Sequence, residues 1–214
     1  EFWVKGGYIQ VDKLPMFGNP KWFSDYCRVK IGHFTPNFGD MQFRRTDGGN
    51  TMFNPFVENL IFDAFATEIG GEVYVFPVDG FMGMVGLTSG FINGNIDNYP
   101  AVPVTPNVEP SEKKPSVTVK LAYDKTFESK FRFRLSASLY NNSGSARNTL
   151  YAGDRTGSHY FMVVEPSTGT YAGNKDSGRF TSMGLANKVN AISINPFIKY
   201  KGVEIFGDYQ IIAG

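Results

Sequence analysis

The clearest pattern in the chain lies in Ala191–Ala213, where apolar and polar residues alternate on both sides of Lys201-Gly202. Folded at that dipeptide, Tyr200 falls opposite Val203, the spacing of a two-residue hairpin. One face carries Ile192, Ile194, Pro196, Ile198 and Tyr200 against Val203, Ile205, Gly207, Tyr209 and Ile211. The other carries Ser193, Asn195, Phe197 and Lys199 against Glu204, Phe206, Asp208 and Gln210. Lys199 then meets Glu204, an attractive cross-strand pair. Pro196 has no N–H for the ladder, which predicts a bulge or a strand end there. Strands of about ten residues, apolar on one side and polar on the other, match the wall of a transmembrane β-barrel.

The same alternation recurs upstream. Ser116–Asp124 and Phe131–Asn142 predict a hairpin in which Val117, Val119, Leu121 and Tyr123 share a face with Phe131, Phe133, Leu135, Ala137 and Leu139. Arg132 and Arg134 point the other way, so that face needs water and cannot be a dry core. Glu72–Val78 and Phe81–Asn93 predict another hairpin, turning as type I′ at Asp79-Gly80. That turn puts Tyr74, Phe76 and Val78 with Phe81, Gly83, Val85 and Leu87, and polarity does not separate cleanly between the two faces. Phe2–Val11 and Arg28–Phe34 predict two looser strands, joined by a loop containing Leu14-Pro15 and Gly18-Asn19-Pro20.

The segments between the strands are uneven. Residues 35–70 are too long for a plain connection. Asn54-Pro55 offers a helix start, Phe56, Val57, Leu60, Ile61, Ala64 and Phe65 repeat at helical spacing, and Gly70-Gly71 offers a stop. The expectation is one helix over 55–68, either covering the rim of a barrel or folding inward to narrow its lumen. Residues 95–115, with Pro100, Pro103, Pro106, Pro110 and Pro115, predict an extended loop. Ser143–Thr156 and Ser167–Asn187 are polar, with a strand predicted at His159–Val164 between them. Short turns at Asp79-Gly80, near Lys125–Ser129 and at Lys201-Gly202 should share the periplasmic side. A single strand at His159–Val164 would put the last of them on the other side. Either a further short strand between Gly169 and Asn187 or missing residues is therefore expected.

Composition adds limits. The chain has 214 residues and a formal net charge of +1, which argues against a nucleic-acid surface. Aromatics at 15% and 24 Gly suit short strands with tight turns. No run of roughly 18 apolar residues exists, so no transmembrane helix is expected. The lone Cys27 excludes an intrachain disulfide and lacks a nearby base in sequence. Two histidines, His33 and His159, exclude a multi-histidine metal site, and Ser158 and His159 would point to opposite faces. The pattern predicts no catalytic residue and no cofactor. The chain opens in a strand pattern and stops at Ile212-Ala213-Gly214, so 1–214 is expected to be one barrel domain or an incomplete portion of a larger barrel.

Three stretches carry a family resemblance: Val29–Val75 (VKIGHFTPNFGDMQFRRTDGGNTMFNPFVENLIFDAFATEIGGEVYV), Arg147–Pro166 (RNTLYAGDRTGSHYFMVVEP) and INPFIKYKGVEIFGDYQ. Together they resemble the porin-like outer-membrane barrels of Bacteroidota. The resemblance implies a transmembrane antiparallel β-barrel in the outer membrane of a Gram-negative bacterium, with passive diffusion of small hydrophilic solutes as its function and no catalytic residue. Its surroundings would be outer-membrane lipid or detergent, with a second copy or an envelope protein as further partners. On this reading Lys120, Arg132, Arg134, Lys199, Glu204 and Asp208 line the lumen, and their mixed signs predict weak ion selectivity. Arg44, Arg45, Asp47, Asp154 and Arg155 are loop charges, forming either salt bridges between loops or a selective ring at a constriction. Tyr123, Phe131, Tyr200 and Tyr209 would form an aromatic girdle. Two other readings stay open: a structural or docking barrel of an envelope complex, and a soluble ligand-binding β-barrel with its apolar face inside.

Overall fold

In the computed structural model, the structure describes residues 6–40, 66–91, 114–128, 130–145, 148, 150–151 and 188–214. Within them lie nine strands of one antiparallel sheet. They are β1 (Gly7–Val11), β2 (Cys27–Phe34), β3 (Glu68–Val75), β4 (Phe81–Phe91), β5 (Ser116–Phe127), β6 (Phe131–Asn142), β7 (Val189–Tyr200), β8 (Val203–Phe206) and β9 (Tyr209–Ala213). A 3-10 turn (Pro15–Phe17) and the one-turn helix α1 (Lys21–Tyr26) stand between β1 and β2. Each strand pairs with the next in sequence from β1 to β8, and β9 continues along β7. The sheet is not closed: β1 lies at one edge and β8 with β9 at the other.

The two faces of the sheet differ sharply in exposure and in chemistry. Lys120 is 6% exposed while its chain neighbour Leu121 is 53% exposed. Glu72 is 1% exposed and Val73 beside it 47%. Because side chains alternate across a strand, the pairing carries this contrast across the sheet. Glu72 meets Gly86, Met84 meets Lys120, Lys120 meets Ser138 and Ser138 meets Ser193 on the covered face. Val73, Val85, Val119, Leu139, Ile192 and Ile211 follow one another on the apolar face.

The connections are sorted by length. Residues 12–26, 76–80, 128–130 and 201–202 join strands at one end of the sheet, and 35–67, 92–115 and 143–188 join them at the other. The short turns at 128–130 and 201–202 lie at the same end of the sheet, as expected, while the further strand or missing residues expected between Gly169 and Asn187 fall outside the described residues. β6 and β7 pair with each other over twelve residues, from Phe131↔Tyr200 to Asn142↔Val189. The chain thus leaves the sheet after β6 and re-enters at the same end. The strand predicted at 159–164, the polar stretch 167–187 and the Pro-rich loop up to residue 113 lie outside the described residues.

The last hairpin has the expected register, with Tyr200 opposite Val203, Lys199 opposite Glu204 and Ile192 opposite Ile211. Lys201 and Gly202 both have positive φ (46° and 89°), as a type I′ turn requires. Pro196 stays in β7, but the strand facing it breaks, leaving Gly207 to donate its N–H to the Pro196 carbonyl at 2.9 Å. A side chain at Gly207 would meet Pro196 Cγ at 3.0 Å.

Two expectations fail. The turn between β3 and β4 is not a two-residue type I′ turn: Gly80 has positive φ (81°) but Asp79 does not, and Phe81 donates to the Val78 carbonyl. Tyr74 therefore faces Met84, and Val73 faces Val85. With that one-residue change the polarity of both strands separates, because a slip of one moves every side chain to the other face. The helix expected over 55–68 does not reach its predicted end: Ala66 and Thr67 are not helical and Glu68 begins β3. Residues 55–65 lie outside the described residues.

Candidate functional site

The covered face carries its most connected group of charges where the chain leaves β2. After Phe34, residues 35–40 lie against that face as a strap. The Asn37 backbone N–H donates to Glu72 Oε1 at 3.0 Å, and Tyr74 donates to Glu72 Oε2 at 2.5 Å. Lys30 Nζ stands 3.3 Å from the same carboxylate. On β5, Lys120 Nζ donates to Asn37 Oδ1 (3.1 Å), the Gly39 carbonyl (2.5 Å) and Asp40 Oδ1 (2.9 Å). Arg134 on β6 places Nη2 3.0 Å from Asp40 Oδ2, and the Asp40 N–H donates to Asn195 Oδ1 on β7 at 3.1 Å. The strap is thus tied to β3, β5, β6 and β7, with Lys120 as the hub.

Phe38, in the middle of the strap, is fully buried against Tyr140 at 6.1 Å between ring centroids. It belongs to an apolar cluster with Ala66, Leu150, Tyr151, Val189 and Ala191 at the end of the sheet that carries the long connections. Beside it, Tyr140 donates to Glu68 Oε1 at 2.7 Å, Ser116 reaches the same oxygen, and Thr88 Oγ1 bonds Oε2. Tyr151 donates to Gln210 Oε1 at 2.9 Å, and burial together with the Asp208 carboxylate pushes its hydroxyl pKa up.

The six expected lumen residues all lie on the covered face or at its margin, but in different settings. Lys120 and Arg134 are held by the strap. Arg132 and Lys199 face each other across β6 and β7 near the short-turn end, and both are exposed enough to meet solvent. Their like charges are offset by flanking carboxylates. Arg132 makes a two-pronged contact with Asp124 (2.8 and 2.5 Å), and Lys199 pairs with Glu204. The row Asp124, Arg132, Lys199, Glu204 therefore carries no net charge. Asp208 lies in the break between β8 and β9, accepting from Asn195 Nδ2 at 2.9 Å. Arg132 and Arg134 both stack over Phe197.

Arg44, Arg45, Asp47, Asp154, Arg155 and His159 lie outside the described residues. His33 is on the apolar face, bonded to Thr67 Oγ1 at 2.7 Å. Cys27 is a free thiol at the start of β2, opposite Val75. Tyr123, Phe131 and Tyr200 sit toward the short-turn end of the apolar face, whereas Tyr209 faces Ile194 in the middle of the sheet. Among the described residues no group of three or more His, Cys, Asp or Glu is placed to hold a metal.

Sequence reasoning did not find Asn37, Asp40, Glu68, Glu72 or Asn195. Glu72 and Lys120 did carry a signal, since a charge on a covered strand position requires a partner. No local spacing points from them to Asp40. No family model, curated protein or solved structure matches the chain.

Proposed function

We propose that the chain forms the wall of a porin-like β-barrel in the outer membrane of a Gram-negative bacterium, through which small hydrophilic solutes diffuse passively. The observation that carries this reading is the inverted sheet: Lys120, Glu72 and Ser193 covered, and Leu121, Val73 and Ile192 exposed. Exposed apolar surface on this scale is costly in water and suits lipid. A soluble ligand-binding barrel would have the opposite polarity.

Dimensions agree with the reading. Along β6 the apolar face runs from Asn141, which faces Asn190, to Phe133, which faces Lys125. That is about eight residues, or roughly 27 Å along the strand. At a tilt of ~40° it gives a height of about 21 Å, near the ~25 Å outward band of such barrels. Short connections at one end and long ones at the other match periplasmic turns and external loops.

On this reading the strap, held by Lys120 of β5 and Arg134 of β6, narrows the passage from the wall side. The hydroxyls of Thr118, Ser136 and Ser138 on the same face are buried with no hydrogen-bond partner among the described residues. The covered polar face also favours a second reading, a barrel that serves as a structural or docking subunit of an envelope complex. Planar-bilayer recording on the full chain separates the two. Stable channels support the pore, silence supports the docking barrel, and solubility without detergent defeats both.

A further inference from the structure

We infer that the connection between β1 and β2 is a lipid-interface anchor on the short-turn side, at the margin of the sheet's apolar face. This inference rests on the membrane reading above.

The other connections at this end are tight turns, but Asp12–Tyr26 folds into two helical turns. Pro15 opens the first, at the position where proline's fixed φ suits a helix, and Pro20 is the N-cap of the second. Between them Gly18 and Asn19 both have positive φ (73° and 51°), so the backbone reverses sharply. Leu14 and Pro15 carbonyls accept from Phe17, Gly18 and Asn19. The base is also fixed. Arg28 donates from Nη1 to the carbonyls of Ser24 (2.7 Å) and Cys27 (2.6 Å), and its Nε lies 3.0 Å from Asp12. The Phe76 N–H donates to the Tyr26 carbonyl at 2.8 Å, tying the connection to the neighbouring turn.

This built piece turns its largest apolar side chains outward. Phe23 is buried, yet Met16 is 89%, Phe17 73% and Trp22 62% exposed, with Tyr26 also open. Lys13 and Lys21 are exposed beside them. Trp and Tyr beside lysines, on a short rigid helical segment, are the chemistry of the headgroup–acyl boundary. Tyr26 leads directly into β2, whose Cys27 and Val29 face Val75 and Val73 on the apolar side of the sheet. Phospholipid of the adjacent leaflet is therefore the occupant.

The test uses the full chain in phosphatidylcholine vesicles containing lipids brominated at shallow or deep acyl positions. The chain has two tryptophans, so Trp3→Phe leaves Trp22 as the reporter. A second variant, Trp3→Phe/Trp22→Phe/Leu121→Trp, reports on the wall. The expected result is strong quenching of Trp22 by the shallow label, at least twofold more than by the deep one, and little quenching by aqueous iodide. Wall quenching without Trp22 quenching overturns the anchor and leaves the membrane reading standing. Trp22 shielded from both bromine and iodide marks a protein-docking surface and also overturns it. If neither reporter is quenched by brominated lipid, the membrane reading fails and the anchor falls with it.

Discussion

Tyr74 stands directly across from Met84, one residue out of step with the pairing that a two-residue turn at Asp79-Gly80 would impose. This single step decides which side of β3 and β4 is polar. It puts Glu72 and Tyr74 on the covered face, within reach of Asn37, and sends Val73 and Val85 to the apolar one.

Cross-linking checks the step. In a Cys27→Ser background, Tyr74→Cys with Met84→Cys is expected to oxidise to a disulfide, since directly opposed residues lie about 4.5–5.5 Å apart at Cα. Tyr74→Cys with Val85→Cys should not, because the two side chains leave opposite faces. The readout is a reductant-sensitive mobility shift, and the reverse pattern would restore the type I′ register.

Lys120→Met removes the hub of the strap while keeping the length of the stem. Among the described residues Asp40 then keeps Arg134 as its charged partner, and the loss should cost about 3 kcal/mol, the scale for breaking a buried ion pair. Thermal unfolding in detergent should show the loss. On the pore reading the same variant should raise single-channel conductance, and an unchanged conductance would remove the strap from the passage.

The row Asp124, Arg132, Lys199 and Glu204 balances two cations with two anions. Reversal potentials in a KCl gradient should therefore lie near zero for the wild type. Asp124→Asn with Glu204→Gln should move them toward anion selectivity. Strong selectivity in the unmodified protein would show that other charges control the passage.

Gly70 has no room for a side chain: a Cβ there would sit 2.3 Å from the Leu87 carbonyl oxygen and 2.6 Å from Thr88 Cα. Gly70→Ala should destabilise by about 2 kcal/mol, since backbone must shift. Gly83→Ala, whose nearest neighbour would be a leucine methyl at 3.7 Å, serves as the tolerated control in the same unfolding assay.

Tyr151 gives a pH test. Its hydroxyl pKa is raised in the folded protein, first by burial and then by the Asp208 carboxylate, whereas the unfolded side chain ionises near pH ~10. The contribution of the neutral hydroxyl is thus complete below about pH 10 and declines as pH rises above it. Tyr151→Phe should lose about 1 kcal/mol at neutral pH, the scale of its bond to Gln210. That deficit should shrink from pH 9 to pH 11. A deficit constant across that range would mean that the folded Tyr151 ionises as readily as the unfolded one.

The parts of the fold legible in the sequence are those set by neighbours. β5, β6 and β7 are long, and their alternation of Leu, Val and Ile with Ser, Lys and Arg admits one register. The Lys201-Gly202 turn is marked in the sequence by its glycine, beside which Lys201 also takes up positive φ. β3 and β4 were harder because Gly71, Gly83 and Gly86 blur the polarity of both strands, leaving the turn alone to decide, and Asp79 does not adopt the conformation its sequence suggests. Thr67-Glu68-Ile69 follows an apolar helical spacing, yet Glu68 is drawn into β3 by bonds from Tyr140 and Ser116, both distant in sequence. The strap was invisible for the same reason: Asp40 meets Lys120, Arg134 and Asn195 only after the sheet has formed.

The break opposite Pro196 has a consequence for the free edge of the sheet. β8 offers four residues and β9 five, with a step between them at Gly207 and Asp208. A long flat edge accepts almost any extended chain and invites aggregation. Here a foreign strand could follow one short ladder and would lose its hydrogen bonds at the step. Only a strand with a matching irregularity can run the full length, so the proline makes this edge selective about its neighbour.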